Sequence, residues 1–129
     1  MGLLGAPVRR VEDRPLLVGD GRYVADLVPD DALHAAFVRS MVAHGTLLGV
    51  DATEALAAPG VVAVLTADDL DLSPVAPSIP TLDQSMVRTW LATERVRYVG
   101  EPVAVVLART PTEAADAVDL VEVDVDPLP

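Results

Sequence analysis

The sequence has no cysteine and no lysine, one tryptophan, one phenylalanine, two tyrosines and two histidines. Without thiols, disulfides, iron–sulfur ligation and thiolate zinc sites are excluded. So few aromatic rings cannot build a base-stacking platform. Nine arginines face 20 acidic residues, for a net charge of −11, a balance that disfavours nucleic acid and anionic membranes as partners. No uncharged run approaches the roughly 18 residues of a membrane span. The opening Met1–Pro7 lacks the basic region and apolar segment of a secretory signal, and Ala6 stands where myristoylation requires Ser or Thr. A soluble cytoplasmic protein is the expectation.

What is present suits one compact domain. The chain has 129 residues, of which 51% are hydrophobic, and a domain of that size buries roughly two-thirds of its unfolded surface. Gly19-Asp20-Gly21 and Pro29-Asp30-Asp31 are turn signals. Residues 1–21 read as an irregular lead-in. Arg22–Leu27 alternates and predicts a strand, and Leu33–Ser40 predicts another, with Leu33, Ala35 and Phe37 on one face. Thr46–Val50 is β-prone. Asp51 with Glu54 forms a capping-box pattern for a helix Ala52–Ala58 that stops at Pro59-Gly60. Val61–Leu65 is apolar throughout, which predicts a strand covered on both faces, and Thr66 with Asp69 repeats the cap signal for one turn.

Residues 71–93, with Pro74, Pro77 and Pro80, form the longest stretch without periodicity, and a short helix is expected within Gln84–Leu91. Loops of that length are often functional. Val96–Val99 predicts a strand broken at Gly100-Glu101-Pro102, and Val103–Ala108 a buried one. Thr110, Pro111 and Glu113 open the best-defined helix, with Ala114, Ala117, Val118 and Val121 inward and Thr112, Glu113, Asp116 and Asp119 outward. Val121–Asp126 alternates as a strand with one wet face. The segments Asp51–Ala55 and Thr110–Ala114 resemble each other; either a weak β-α-β repeat or two independent uses of good caps accounts for this, and the second reading is favoured.

Motifs for chemistry are sparse. There is no Gly-x-Ser-x-Gly, no dinucleotide fingerprint and no phosphate-binding loop. His34 and His44 lie ten positions apart without a metal-ligand spacing, so structural histidines are expected. Asp30-Asp31, Asp68-Asp69 and the series Glu122, Asp124, Asp126 fall at turns, a helix start or a wet face and read as solvated charge rather than general acids. Gly100-Glu101-Pro102 either lines a cofactor or makes a bend into the next strand; the bend is favoured. Trp90, in the proline-rich loop, is either an interface anchor or a pin that holds the loop to its own core.

Five segments in order resemble a known family. Arg10-Val11-Glu12-Asp13 with Gly21-Arg22-Tyr23-Val24 is similar to its opening. Phe37-Val38-Arg39-Ser40 with Ala43-His44, Pro59–Thr66, Val96–Ala104 and Val121–Asp124 closing on Pro127-Leu128-Pro129 follow. Together they resemble the N-terminal α/β hammerhead domain of the aldehyde oxidase and xanthine dehydrogenase family, most of all the large molybdenum-binding subunit of carbon monoxide dehydrogenase. Met41 departs from the family's usual Pro, Arg14-Pro15 from its Pro-Arg order, and Gly45 from its commoner Ala.

The resemblance implies a non-catalytic domain or fragment of a molybdenum hydroxylase large subunit, serving in packing and assembly. It implies an oxidoreductase parent using a molybdopterin cytosine dinucleotide-type molybdenum cofactor. No catalytic, cofactor-binding or metal-binding residue carries over to this chain, because the matching regions lie past Pro129. The implied partners are molybdenum-binding domains of the same or a neighbouring chain, and flavin and iron–sulfur subunits. Contacts are expected at Trp90, Tyr98, Gly100, Glu101 and Pro102, with self-association when the domain is isolated. The competing reading is a free-standing acidic interaction module. The expected fold is α/β: a mixed sheet of about five or six strands with two or three short helices, over residues 22–129.

Overall fold

The computed structural model describes Gly5, Pro7 and residues 9–129. The expectations about Met1–Leu4 and Ala6, and the Val8 end of the charged lead-in, lie outside the described residues. The chain divides into two compact units, one up to Ala32 and one over Leu33–Pro129.

The first unit is not wholly irregular. It contains a five-residue helix, α1 (Asp13–Leu17), that buries none of its residues. Pro15 sits in its first turn, where a missing N–H costs nothing, and its carbonyl accepts the amides of Asp20 and Gly21. The strand expected over Arg22–Leu27 does not form. Asp26 reaches back to accept the Tyr23 amide at 2.8 Å and donates its own amide to the Tyr23 carbonyl. That local side-chain bond closes a 3-10 turn over Val24–Asp26, and it outweighs the alternation.

The second unit holds β1 (His34–Arg39), β2 (Gly45–Asp51), α2 (Thr53–Ala57), β3 (Val61–Leu65), β4 (Arg95–Val96), β5 (Pro102–Ala108), α3 (Pro111–Val118) and β6 (Glu122–Pro127). The α/β class and six-strand content are as expected. The strands, however, form two three-stranded sheets, β1-β5-β3 and β4-β2-β6, and every pairing is antiparallel. The reason is in the connections. α2 carries the chain from β2 in one sheet to β3 in the other, and α3 carries it back from β5 to β6. Neither crossover returns to its own sheet, so the parallel pairing of a one-sheet β-α-β unit never arises.

The capping signals fold largely as read. Thr110 accepts the Glu113 amide and opens α3. Asp69 accepts the Thr66 amide at 2.7 Å. Asp51 acts one position early, accepting the Thr53 amide while Ala52 occupies the cap. Gly60 ends that connection at φ +76°, a conformation open to glycine at no steric cost. Glu113 folds over Gly60 and is half-buried rather than wet.

The Gln84–Leu91 helix is absent. Asp83 accepts the Ser85 amide, and the Arg88 backbone is spent in a two-way bridge to Val75. β3 is an edge strand with Val62 exposed, not covered on both faces.

The core is built from small residues. Val38, Ala55, Ala104, Val106, Ala117 and Val121 form one cluster; Ala92, Val96 and Val103 form another. Val50 and Val123 pack against both, so the sheets share one interior. Each fully buried valine contributes roughly 1.5–3 kcal/mol by leaving water.

Candidate functional site

The segment Val96–Ala104 builds the most organised feature of the second unit. β4 ends at Val96, short of the strand expected to Val99, because the chain turns. Glu101 donates its amide to the Tyr98 carbonyl at 3.2 Å, and Gly100, third in that turn, has φ +89°. This position in a turn favours glycine, since a Cβ would strain the backbone.

The turn is tied to the end of β1. Gly100 donates its amide to the Ser40 carbonyl at 2.8 Å, and Ser40 donates its own to the Glu101 carbonyl at 2.9 Å. The pairing then slips: Arg39 faces Pro102 while Val38 faces Ala104, leaving Val103 as the extra residue of a bulge. The favoured bend reading of Gly100-Glu101-Pro102 is what the backbone shows.

Glu101 is the unusual residue, a carboxylate only 6% exposed. Its Oε2 accepts the Arg97 amide, and its Oε1 lies 3.4 Å from the Arg97 guanidinium. A buried anion needs such partners. Ser40, also buried, closes its own hydroxyl onto the Val42 backbone. On the outer side Arg39 donates to the Gly100 carbonyl at 2.9 Å, and its guanidinium lies 5.7 Å from the Phe37 ring centroid.

Thus Tyr98, Gly100, Glu101 and Pro102 come together in one clasp. Trp90 lies outside it. Its exposed ring borders a separate small hollow lined by Leu70, Leu72 and Leu91. The clasp also recruits Arg97, Arg39 and Ser40, which the reading did not single out. The face of β1 carrying Leu33, Ala35 and Phe37 points outward. A groove of ≈ 500 Å³, mostly apolar, runs between Phe37–Val42 and the Val118–Val125 region.

Among the described residues no group of three His, Asp or Glu could hold a metal. His44 Nδ1 lies 3.0 Å from the Pro129 carbonyl oxygen. Asp51 is held below the ordinary carboxylate value by the Thr53 hydroxyl and then its amide, Asp69 by the Thr66 amide and then its hydroxyl, and Asp83 by the Ser85 amide and then its hydroxyl. All three are shifted away from acting as proton donors near neutrality.

A molybdenum cofactor would need polar groups for its pterin and phosphates. The Gly100 amide is already spent on Ser40, and the one buried polar side-chain atom lacking a partner among the described residues is the Thr89 hydroxyl. The residues present do not fit that group. Among the described residues no helix is long and apolar enough to cross a membrane.

Two small antiparallel sheets linked by crossing helices, with a glycine turn clasped by a buried glutamate, define an α/β hammerhead-type domain. The family described as aldehyde oxidase and xanthine dehydrogenase, a/b hammerhead domain, matches residues 18–129. The chain belongs to this family. It is 43% identical over 127 residues to the carbon monoxide dehydrogenase large chain of Afipia carboxidovorans, covering 98% of this chain and 15% of that protein. It is 40% identical over 129 residues to the nicotine 6-hydroxylase large subunit of Paenarthrobacter nicotinovorans, covering 98% of this chain and 16% of that protein. The solved structure of the Cu,Mo-CO dehydrogenase in its carbon monoxide reduced state superposes with a TM-score of 0.83 at 40% identity, over 97% of this chain and 16% of that chain. The chain therefore spans about a sixth of the length of the relatives it matches.

Proposed function

We propose that this chain is the N-terminal hammerhead domain of a molybdenum hydroxylase large subunit, and that its own work is packing and assembly rather than chemistry. The observation carrying this reading is the Tyr98–Pro102 clasp, an ordered surface turn in a hammerhead domain that spans about a sixth of its relatives' length. The parent would oxidise carbon monoxide, an aldehyde or an N-heterocycle with water as the oxygen source. Its molybdenum centre, of the molybdopterin cytosine dinucleotide type, would supply the redox chemistry from outside this domain.

Residues 22–129 would act as one domain behind the 1–21 lead-in, with Trp90, Tyr98, Gly100, Glu101 and Pro102 among its contacts. Molybdenum-binding domains, with flavin and iron–sulfur subunits, would be the partners, in the cytoplasm. The test is capture of the native protein with an antibody to this segment, followed by molybdenum quantification and mass determination. Stoichiometric molybdenum supports the reading. A native chain of 13.5 kDa without molybdenum overturns it in favour of a free-standing acidic module.

A further inference from the structure

We propose that His44 clamps the way out of the domain: its imidazole, held in the Nδ1–H form, fixes the direction in which the polypeptide leaves after Pro129. This inference rests on the large-subunit reading above, since a clamp at Pro129 matters only where more chain follows.

Three observations meet at this point. His44 Nδ1 lies 3.0 Å from the Pro129 carbonyl oxygen, across a separation of 85 positions, and the His44 carbonyl accepts the Leu128 amide at 2.9 Å. One residue thus grips two neighbouring groups of the exit segment. Beside it, Gly45 pairs with Pro127. A Cβ at Gly45 would meet Val125 Cγ1 and lie 2.8 Å from the Asp126 carbonyl oxygen, so the end of β6 is seated closer than a side chain allows. Leu128, finally, stands between two prolines. Each ring fixes its own φ, and the second confines Leu128 to extended backbone. Few rotations remain free over residues 127–129, and the imidazole holds the carbonyl from which the next peptide bond starts.

The chemistry singles out one ring nitrogen. A carbonyl oxygen only accepts, so Nδ1 carries the proton, and a second proton arriving at Nε2 leaves that donor in place. The arrangement is a lock rather than a pH switch. A histidine that merely fills space would be indifferent to which of its nitrogens is replaced.

The experiment follows amide hydrogen exchange, resolved by mass spectrometric fragmentation, in the full-length protein and in His44→Ala, His44→Asn and His44→Gln. Asparagine places an N–H donor where Nδ1 stands, and glutamine places one where Nε2 stands. His44→Ala and His44→Gln should loosen the exit and speed exchange at Leu128 and at the first amides after Pro129 about fivefold, the size of one ordinary hydrogen bond. His44→Asn should stay near the native rate. Amides of β5, in the other sheet, should be unchanged in all three.

Rates unmoved in His44→Ala overturn the clamp, as does His44→Asn exchanging as fast as His44→Gln. Acceleration in β5 equal to that at Leu128 also overturns it, as the mark of a general loss of stability. Should His44→Ala fail to fold, the contrast between asparagine and glutamine decides. Intact mass of the same sample separates the two levels of failure. A native chain of 13.5 kDa removes the large-subunit reading and the clamp together, whereas a longer chain with an unmoved exit removes the clamp alone.

Discussion

Glu101 offers the sharpest test of how the clasp is held. In Glu101→Ala the Arg97 amide loses its acceptor and the Arg97 guanidinium loses its anion. A buried amide left unpaired costs about 1–3 kcal/mol. The ion pair adds less, because the Arg97 side chain is 49% exposed against 8% for Glu101, and a pair open to water on one side is worth roughly 0–1 kcal/mol. The sum is about 1–4 kcal/mol.

Glu101→Gln keeps an oxygen that can accept the amide and forfeits only the charge, for about 1 kcal/mol. Urea unfolding of the domain reads both values. With a slope of roughly 1–3 kcal/mol per molar, the alanine variant should lower the midpoint by about 1 M and the glutamine variant by less than half of that. Equal shifts for the two variants would show that charge, not amide acceptance, holds the turn. Shifts below about 0.3 kcal/mol in both would refute the clasp as a stabilising element.

Gly45→Ala should cost about 1–3 kcal/mol by overpacking, since a Cβ there meets Val125 Cγ1 and lies 2.8 Å from the Asp126 carbonyl oxygen; urea midpoints check it. Thr110→Ala removes the hydroxyl that accepts the Glu113 amide and should cost about 1 kcal/mol, with Thr110→Ser restoring most of it. Because the Thr66 amide and hydroxyl hold the Asp69 carboxyl below its ordinary 3.8, its folded value lies under its unfolded one. The stabilisation is therefore complete above the ordinary value and is lost as pH falls through the lowered one. Urea midpoints should drop below about pH 4, and less steeply in Asp69→Asn. The isolated domain should self-associate through its exposed apolar patch, read as a rise in mass with concentration by light scattering; a monomer at high concentration counts against it.

Much of the fold was legible because local grammar and tertiary packing agree. The α3 start is written in Thr110, Pro111 and Glu113, and β5 in its unbroken apolar run between Pro102 and Ala108. Arg22–Leu27 misled because alternation alone does not supply a partner strand, whereas Asp26 supplies a nearby acceptor. The division into two sheets was not legible either. It depends on where α2 and α3 set the chain down, and helix caps carry no information about that.

The turn at Tyr98–Pro102 was visible as a break at glycine and proline. Its partners were not, since Ser40 and Arg39 lie some sixty residues upstream and no spacing rule links them. The direction of β1's apolar face was equally hidden. Leu33, Ala35 and Phe37 share a face by period, but period does not say which face meets the core.

The strand order also governs how the domain comes into being. His34 pairs with Ala108, and Gly45 pairs with Pro127, so the first strands of both sheets wait for the last ones. Emerging from a ribosome, β1 and β3 have no strand to bond until β5 follows, and β2 has only the two-residue β4 until β6 follows; contacts of such long range are slow to form. Nearly the whole domain must be synthesised before either sheet can close. During that interval the valine-rich strands are bare edges, and the dense acidic charge of the chain is the feature that keeps unfinished copies apart.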